Sequence, residues 1–278
     1  MPQKQHSHSK ERAVIVFDLD ETIGYFTEFS IFWYIVQNYY SLYPCANEQN
    51  ISDGSNRNGN LHKQICFNNA LELYPELFRP LMIDIFNSLV RKQNSYYFDM
   101  MVYTNNNGDK EWVQMIVNYL EFKIKDMLKV NKRLFKKVIY AFKINGKRVE
   151  PSRTTHDKTY NDFLKTTAIP KETQICFVDD TYYPNMDTEN VFYVNIDPYV
   201  YHLPAKTYVQ RFIRSPLYKN HFSYIDPNNM IQFLNTQFNS VTPKLTHMTK
   251  EKYQVNTVVS KTIWKFLNEF LLDFCNVK

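Results

Sequence analysis

The sequence predicts an α/β fold, a largely parallel sheet flanked by helices and followed by a helical C-terminal region, on three observations. Short runs rich in Val, Ile, Phe and Tyr alternate with stretches of helical spacing up to about residue 200. The first of them, RAVIVFD at 12–18, is continuously apolar, as expected of a central strand buried on both faces. Beyond about Pro204 the strands stop and only helical spacing continues.

Taken in order, the first strand leads into an aromatic helix predicted from about Phe26 to Tyr43. The polar, Gly- and Asn-rich segment 46–62 reads as a loop or insertion. Helical spacing returns over 70–93, with Pro75 and Pro80 fixing where turns start or bend. The run YYFDMMVYT, 96–104, is the second strand, and NNNGD carries the chain into the amphipathic helix KEWVQMIVNYLEF. The third strand, KKVIYAFK, is expected to continue across Asn145-Gly146 into KRVEP, because Asn-Gly between extended segments is the strongest short hairpin signal. A short helix is expected near Asp157, where Tyr160, Phe163 and Leu164 share a face. Strands QICFVDD, 174–180, and NVFYVNI, 190–196, complete the sheet. In the last helix Ile263, Leu267, Phe270, Leu271 and Phe274 form one stripe, expected to pack on the chain's own core. The organisation expected is a polar, disordered tail over 1–11, a core over 12–204 with a helical insertion at about 44–90 and a hairpin at about 138–150, and a helical extension over 205–278.

Composition narrows the class. A 278-residue chain with 44% hydrophobic residues can bury a sizeable core. The polar start MPQKQHSHSKER lacks the apolar run of a secretory signal, and its two His are read as part of a disordered tail rather than a metal site. No spanning helix is expected, so no membrane partner is either. Cys45, Cys66, Cys176 and Cys275 form no CxxC pair, which argues against a zinc site or a disulfide framework and for an intracellular protein, cytoplasmic or nuclear. A formal charge of +5 is compatible with a phosphorylated or nucleic-acid partner without requiring one.

Open parallel sheets bind ligands beyond the carboxyl ends of their strands. Four such places stand out: Asp18-Leu19-Asp20-Glu21-Thr22 after the first strand, Thr104-Asn105 after the second, Lys158 before the short helix, and Asp179-Asp180 ending the fourth. Each alone has a plain structural reading. Asp pairs at strand exits are commonly solvated turns, Thr104 could cap a helix, and Lys158 could be a surface lysine. All four together, in this order, form a much more specific signal.

The set resembles the haloacid dehalogenase superfamily of phosphatases over roughly residues 12–200, and FDLDET is most similar to the phosphatases that act on the C-terminal domain of RNA polymerase II and their relatives. The resemblance implies a Rossmann-like parallel sheet and Mg²⁺-dependent hydrolysis of phosphomonoesters. The residue types suit that chemistry. Asp18 can attack phosphorus to give an aspartyl-phosphate, and Asp20 can protonate the leaving oxygen and then deprotonate water. Thr104 offers a hydroxyl to a phosphoryl oxygen, the Asn105 amide is expected at a helix N-terminus, and Lys158 supplies positive charge. Thr22 is expected to brace Asp20. Asp18 and Asp179-Asp180 supply hard oxygen ligands for Mg²⁺. The resemblance adds the backbone carbonyl of Asp20 and points to Asp180 as the ligand of the last pair, leaving Asp179 to hold Lys158 or the metal's waters. An acid at Asp20 favours phosphoester hydrolysis over dehalogenation, and Glu21 receives no chemical step.

Substrate choice is less determined. Between Thr22 and Thr104 lie 81 residues, more than one helix and a loop need. A lid there would favour small metabolites, and an open site a phosphorylated protein or peptide. Lys143, Lys147, Arg148 and Arg153 around the hairpin are read either as phosphopeptide contacts or as a solvated tip. The first expectation is a phosphoserine or phosphothreonine protein phosphatase. A phosphatase of nucleic-acid ends or nucleotides and a non-catalytic phosphate-binding scaffold stand as alternatives.

Overall fold

The computed structural model describes residues 13–42, 56–129, 133–241 and 250–275. The tail over 1–11, residues 46–55 of the expected loop and Cys45 lie outside the described residues. Five parallel strands form the main sheet in the order β3-β2-β1-β6-β7: β1 Ala13–Phe17, β2 Phe98–Tyr103, β3 Lys137–Ile139, β6 Ile175–Asp179 and β7 Val191–Asn195. A separate two-stranded ribbon joins β4, Lys143–Ile144, to β5, Lys147–Arg148. The described helices are α1 Thr27–Leu42, α2 Asn56–Leu71, α3 Met82–Lys92, α4 Lys110–Leu128, α5 Tyr160–Thr167, α6 Ala205–Arg214, α7 Pro216–His221, α8 Pro227–Val241 and α9 Lys250–Phe274. The fold is thus α/β, Rossmann-like, with a helical C-terminal region.

The uniform apolarity of β1 follows from cover on both sides. Ala13, Ile15 and Phe17 enter a large cluster built with α1–α4 and α6–α9, whereas Val14 and Val16 enter a smaller one closed by Tyr160 and Phe163 of α5. The C-terminal helices therefore belong to the same core as the sheet: α9 packs on β6 and β7, and α8 on α1 and α6.

Three local expectations are corrected. The segment 46–62 is not loop throughout, because α2 begins at Asn56. The third strand does not run into the hairpin. It ends at Ile139, and the chain leaves the sheet before pairing again as β4 and β5. The Asn145-Gly146 turn is as expected, with φ of 49° and 75°, the doubly left-handed geometry that matches hairpin twist. On α9, Ile263, Leu267, Phe270 and Leu271 are fully buried, but Phe274, whose ring lies 6.3 Å from that of Phe192 on the edge strand β7, is 42% exposed.

Candidate active site

The strand order reverses at β1, whose neighbours are β2 on one side and β6 on the other. A crevice opens at such a switch point. Register places the motifs there: Phe17 pairs with both Val102 and Val178, and the Asp18 N–H donates to the Val178 carbonyl, so the exits of all three strands lie side by side. The cleft above them, about 530 Å³, is lined by Asp18, Asp20, Thr104, Asn105, Lys158, Asp179 and Asp180 among others.

Lys158 is at the centre. Its ammonium donates to Asp18 Oδ1 and, at 2.6 Å, to Asp179 Oδ2. All three side chains are buried. Burial disfavours the lysine's charge, yet Asp18 and Asp179 outweigh it and raise the pKa, so Lys158 is an ammonium at neutral pH. Burial likewise pushes Asp18 well above its ordinary value; Lys158 opposes the shift, while Asp179 and Asp20 add to it. Asp179 is raised by the same desolvation against the same lysine. The structure thus brings Lys158 between Asp18 and Asp179, and both carboxylates accept from it.

Asp20 is held differently. Asn106 Nδ2 donates to Asp20 Oδ2 at 2.7 Å, while Asn106 Oδ1 accepts from the Gly108 N–H at 2.8 Å. The second contact fixes which way the Asn106 amide faces, so Oδ2 of Asp20 is an acceptor and a proton on this carboxyl resides on Oδ1. Desolvation raises the Asp20 pKa, partly offset by the Asn106 donor and by Lys158.

Two roles expected from the sequence are corrected here. Thr22 does not brace Asp20. Its hydroxyl donates to Asp180 Oδ1 at 2.9 Å and accepts from the Asp180 N–H at 3.1 Å, because the turn after Asp20 carries it toward β6. Asn105 does not stand at a helix N-terminus. The helix starts at Lys110 and is capped by Asp109, whose carboxylate accepts from the Trp112 N–H, while Asn105 Nδ2 donates to the Tyr183 hydroxyl at 3.0 Å. Thr104 lines the cleft, and its hydroxyl oxygen accepts from the Asn106 N–H at 3.0 Å.

Two buried arginines fix the loops from behind. Arg79 donates to the carbonyls of Thr22, Glu21 and Asp197 at 2.6–2.8 Å and to Asn256 of α9 at 3.3 Å, tying the motif turn to the C-terminal region. Glu21 has φ of 61°, a conformation that favours glycine, and its carbonyl also accepts from the Tyr199 N–H. Gly24 in the same turn cannot carry a side chain, because a Cβ would meet the Leu77 carbonyl at 2.5 Å. Arg153 reaches the carbonyls of Thr104, Tyr140, His156 and Asp157. It is fully buried, so its reading as a phosphopeptide contact is corrected, whereas Lys143, Lys147 and Arg148 are exposed. Asn106 was visible in the sequence only as part of NNNG, and nothing around Arg79 marked it.

The residues can hold a metal ion. Asp18, Asp179 and Asp180 each bring a carboxylate oxygen to within 4.8 Å of the others. The donor set is all oxygen, and five carboxylates including Glu21 line the cleft against one cation, Lys158. Burial raises the pKa of Asp18, Asp20, Glu21 and Asp179, the neighbouring carboxylates add to it, and a hard divalent cation would favour the ionised forms. No described helix is long and apolar enough to cross a membrane. Compared with known proteins, the chain matches no family model, no curated protein and no solved structure.

Proposed function

We propose that the protein is a Mg²⁺-dependent phosphatase of the haloacid dehalogenase type, hydrolysing phosphomonoesters through an aspartyl-phosphate on Asp18. The observation that carries this reading is the buried triad in which one lysine bridges Asp18 and Asp179, beside a second carboxyl, Asp20, oriented by Asn106. A structural ion pair would not require four acidic side chains at one strand switch point, nor a cleft above them.

Asp18, Asp179 and Asp180 would hold Mg²⁺, with Asp180 kept in place by Thr22. The ion would neutralise charge on the phosphoryl oxygens and keep Asp18 ionised. Asp18 attacks phosphorus as the ester P–O bond breaks, while Lys158 and the Thr104 hydroxyl face the equatorial oxygens. Asp20 gives its Oδ1 proton to the leaving oxygen. Water then attacks the aspartyl-phosphate, its proton passes to Asp20, and the bond between phosphorus and Asp18 breaks, releasing phosphate and restoring both carboxyls to their starting states.

The substrate proposed is phosphoserine or phosphothreonine in a protein. Among the described residues, none from 56–90 lines the cleft, so the described part of the insertion does not close over it. Aromatic side chains, Phe26, Trp112 and Tyr183, form part of the wall. The test is turnover of para-nitrophenyl phosphate with Mg²⁺ or with chelator, followed by a panel of phosphopeptides and 5′- and 3′-phosphorylated oligonucleotides. Mg²⁺-dependent turnover with preference for phosphopeptides is expected. Inactivity on all substrates would overturn the enzyme reading, and a salt-sensitive preference for oligonucleotide ends would overturn the substrate.

A further inference from the structure

Away from the cleft, α2 and α7 pack against each other. Three side chains of metal-ligating type meet between them. His62 and Cys66, four residues apart, share a face of α2, and His221 is the last residue of α7. Cys66 Sγ lies 3.9 Å from His62 Nδ1, and the His62 and His221 rings are 5.1 Å apart between centroids at an interplanar angle of 74°. One ligand atom from each residue falls within 4.8 Å of the other two.

We propose that His62, Cys66 and His221 form a second metal site, selective for a borderline-soft divalent cation of the Zn²⁺ type and separate from the aspartate cluster. A His–Cys pair on one helix would by itself be a weak sulfur–imidazole contact. The third ligand arrives from a helix 155 positions further along the chain, and that convergence distinguishes a site from a local contact. One sulfur and two imidazole nitrogens suit Zn²⁺ and are poor ligands for Mg²⁺, so the two sites would sort the two ions by chemistry. Each ligand atom needs to move inward by less than about 1 Å to reach the ~2.0–2.3 Å bonds of Zn²⁺. Exposed His62 gives the ion an entry path, and three protein ligands leave a fourth position for water. The bound ion would clamp α7 onto α2. In the sequence the site is marked by His-x-x-x-Cys at 62–66, a one-turn helical spacing distinct from CxxC.

The site is tested on the full-length chain in excess Mg²⁺ by titration with Co²⁺, read from the thiolate-to-cobalt charge-transfer absorption. A band saturating at one Co²⁺ per chain and displaced by Zn²⁺ is expected. Cys66→Ser should abolish it, and His62→Ala and His221→Ala should each weaken Co²⁺ binding at least about tenfold, with far-UV circular dichroism and Mg²⁺-dependent turnover unchanged. Absence of the band, or Co²⁺ affinity unchanged in both histidine variants with the fold intact, would overturn the proposal. Neither outcome depends on whether the cleft hydrolyses phosphoesters.

Discussion

At the residue scale the proposed chemistry rests on how Asp18 and Asp20 differ. Both carboxyls are raised by burial, Asp18 the more strongly, but Asp18 faces the Lys158 ammonium and would be a ligand of the metal ion, whereas Asp20 faces the neutral amide of Asn106. That difference can separate a nucleophile from an acid. Asp20→Asn should lower kcat by about 10²–10⁴-fold, as loss of a general acid does, in steady-state assays with para-nitrophenyl phosphate. Asn106→Ala gives a sharper test. Its N–H donor favours the ionised form of Asp20, so removing it raises that pKa further, and the alkaline limb of the pH–rate profile should move to higher pH. An unmoved limb would remove Asn106 from the account. The acidic motifs were legible in the sequence because each stands at a strand end, where chain order alone predicts exposure to a common crevice. Asn106 was not, because a run of three asparagines gives no indication of which one turns inward, and Thr22 was assigned to the wrong aspartate because a turn's direction depends on contacts made from Arg79 and Tyr199.

At the element scale, parallel strands buried on both faces read directly as apolar runs, so β1, β2 and β6 were legible, and the half-buried edge strand β7 was legible from its Val, Phe and Tyr. The break after β3 was not: KKVIYAFK has strand composition throughout, and only the pairing partners decide that Ile139 stays in the sheet while Lys143 joins a separate ribbon. The buried arginines were hidden for a related reason, since an Arg is ordinarily exposed and becomes internal only where several carbonyls converge on it. The α9 stripe gives a quantitative check. Phe270 is fully buried in the core shared with β7, so Phe270→Ala should cost about 3–5 kcal/mol in chemical denaturation. Leu272, on the opposite face and 69% exposed, should tolerate alanine with little change.

At the scale of the whole molecule, Arg79 links the Asp20–Thr22 turn to Asn256 of α9, so metal at the cleft should register in global stability. Each raised carboxyl holds its proton more tightly in the folded chain than in the unfolded one. Its contribution to stability is therefore full below the ordinary value of 3.8 and is lost as pH rises through the higher folded-state pKa. A divalent cation competes with those protons, so the rise in Tm on adding Mg²⁺ should be larger at pH 7 than at pH 5 by thermal denaturation, and small in Asp180→Asn at either pH. Equal increments at both pH values would place the ion elsewhere. The central claim is that Asp18 itself carries the phosphoryl group, and the most direct measurement is acid quenching of the protein during turnover, followed by mass spectrometry of its peptides. A phosphoryl adduct on the peptide containing Asp18, labile to hydroxylamine and absent from Asp18→Asn together with turnover, is the predicted result. Undiminished hydrolysis by Asp18→Asn, or turnover with no phosphoryl group on that peptide in a burst-competent quench, would contradict it.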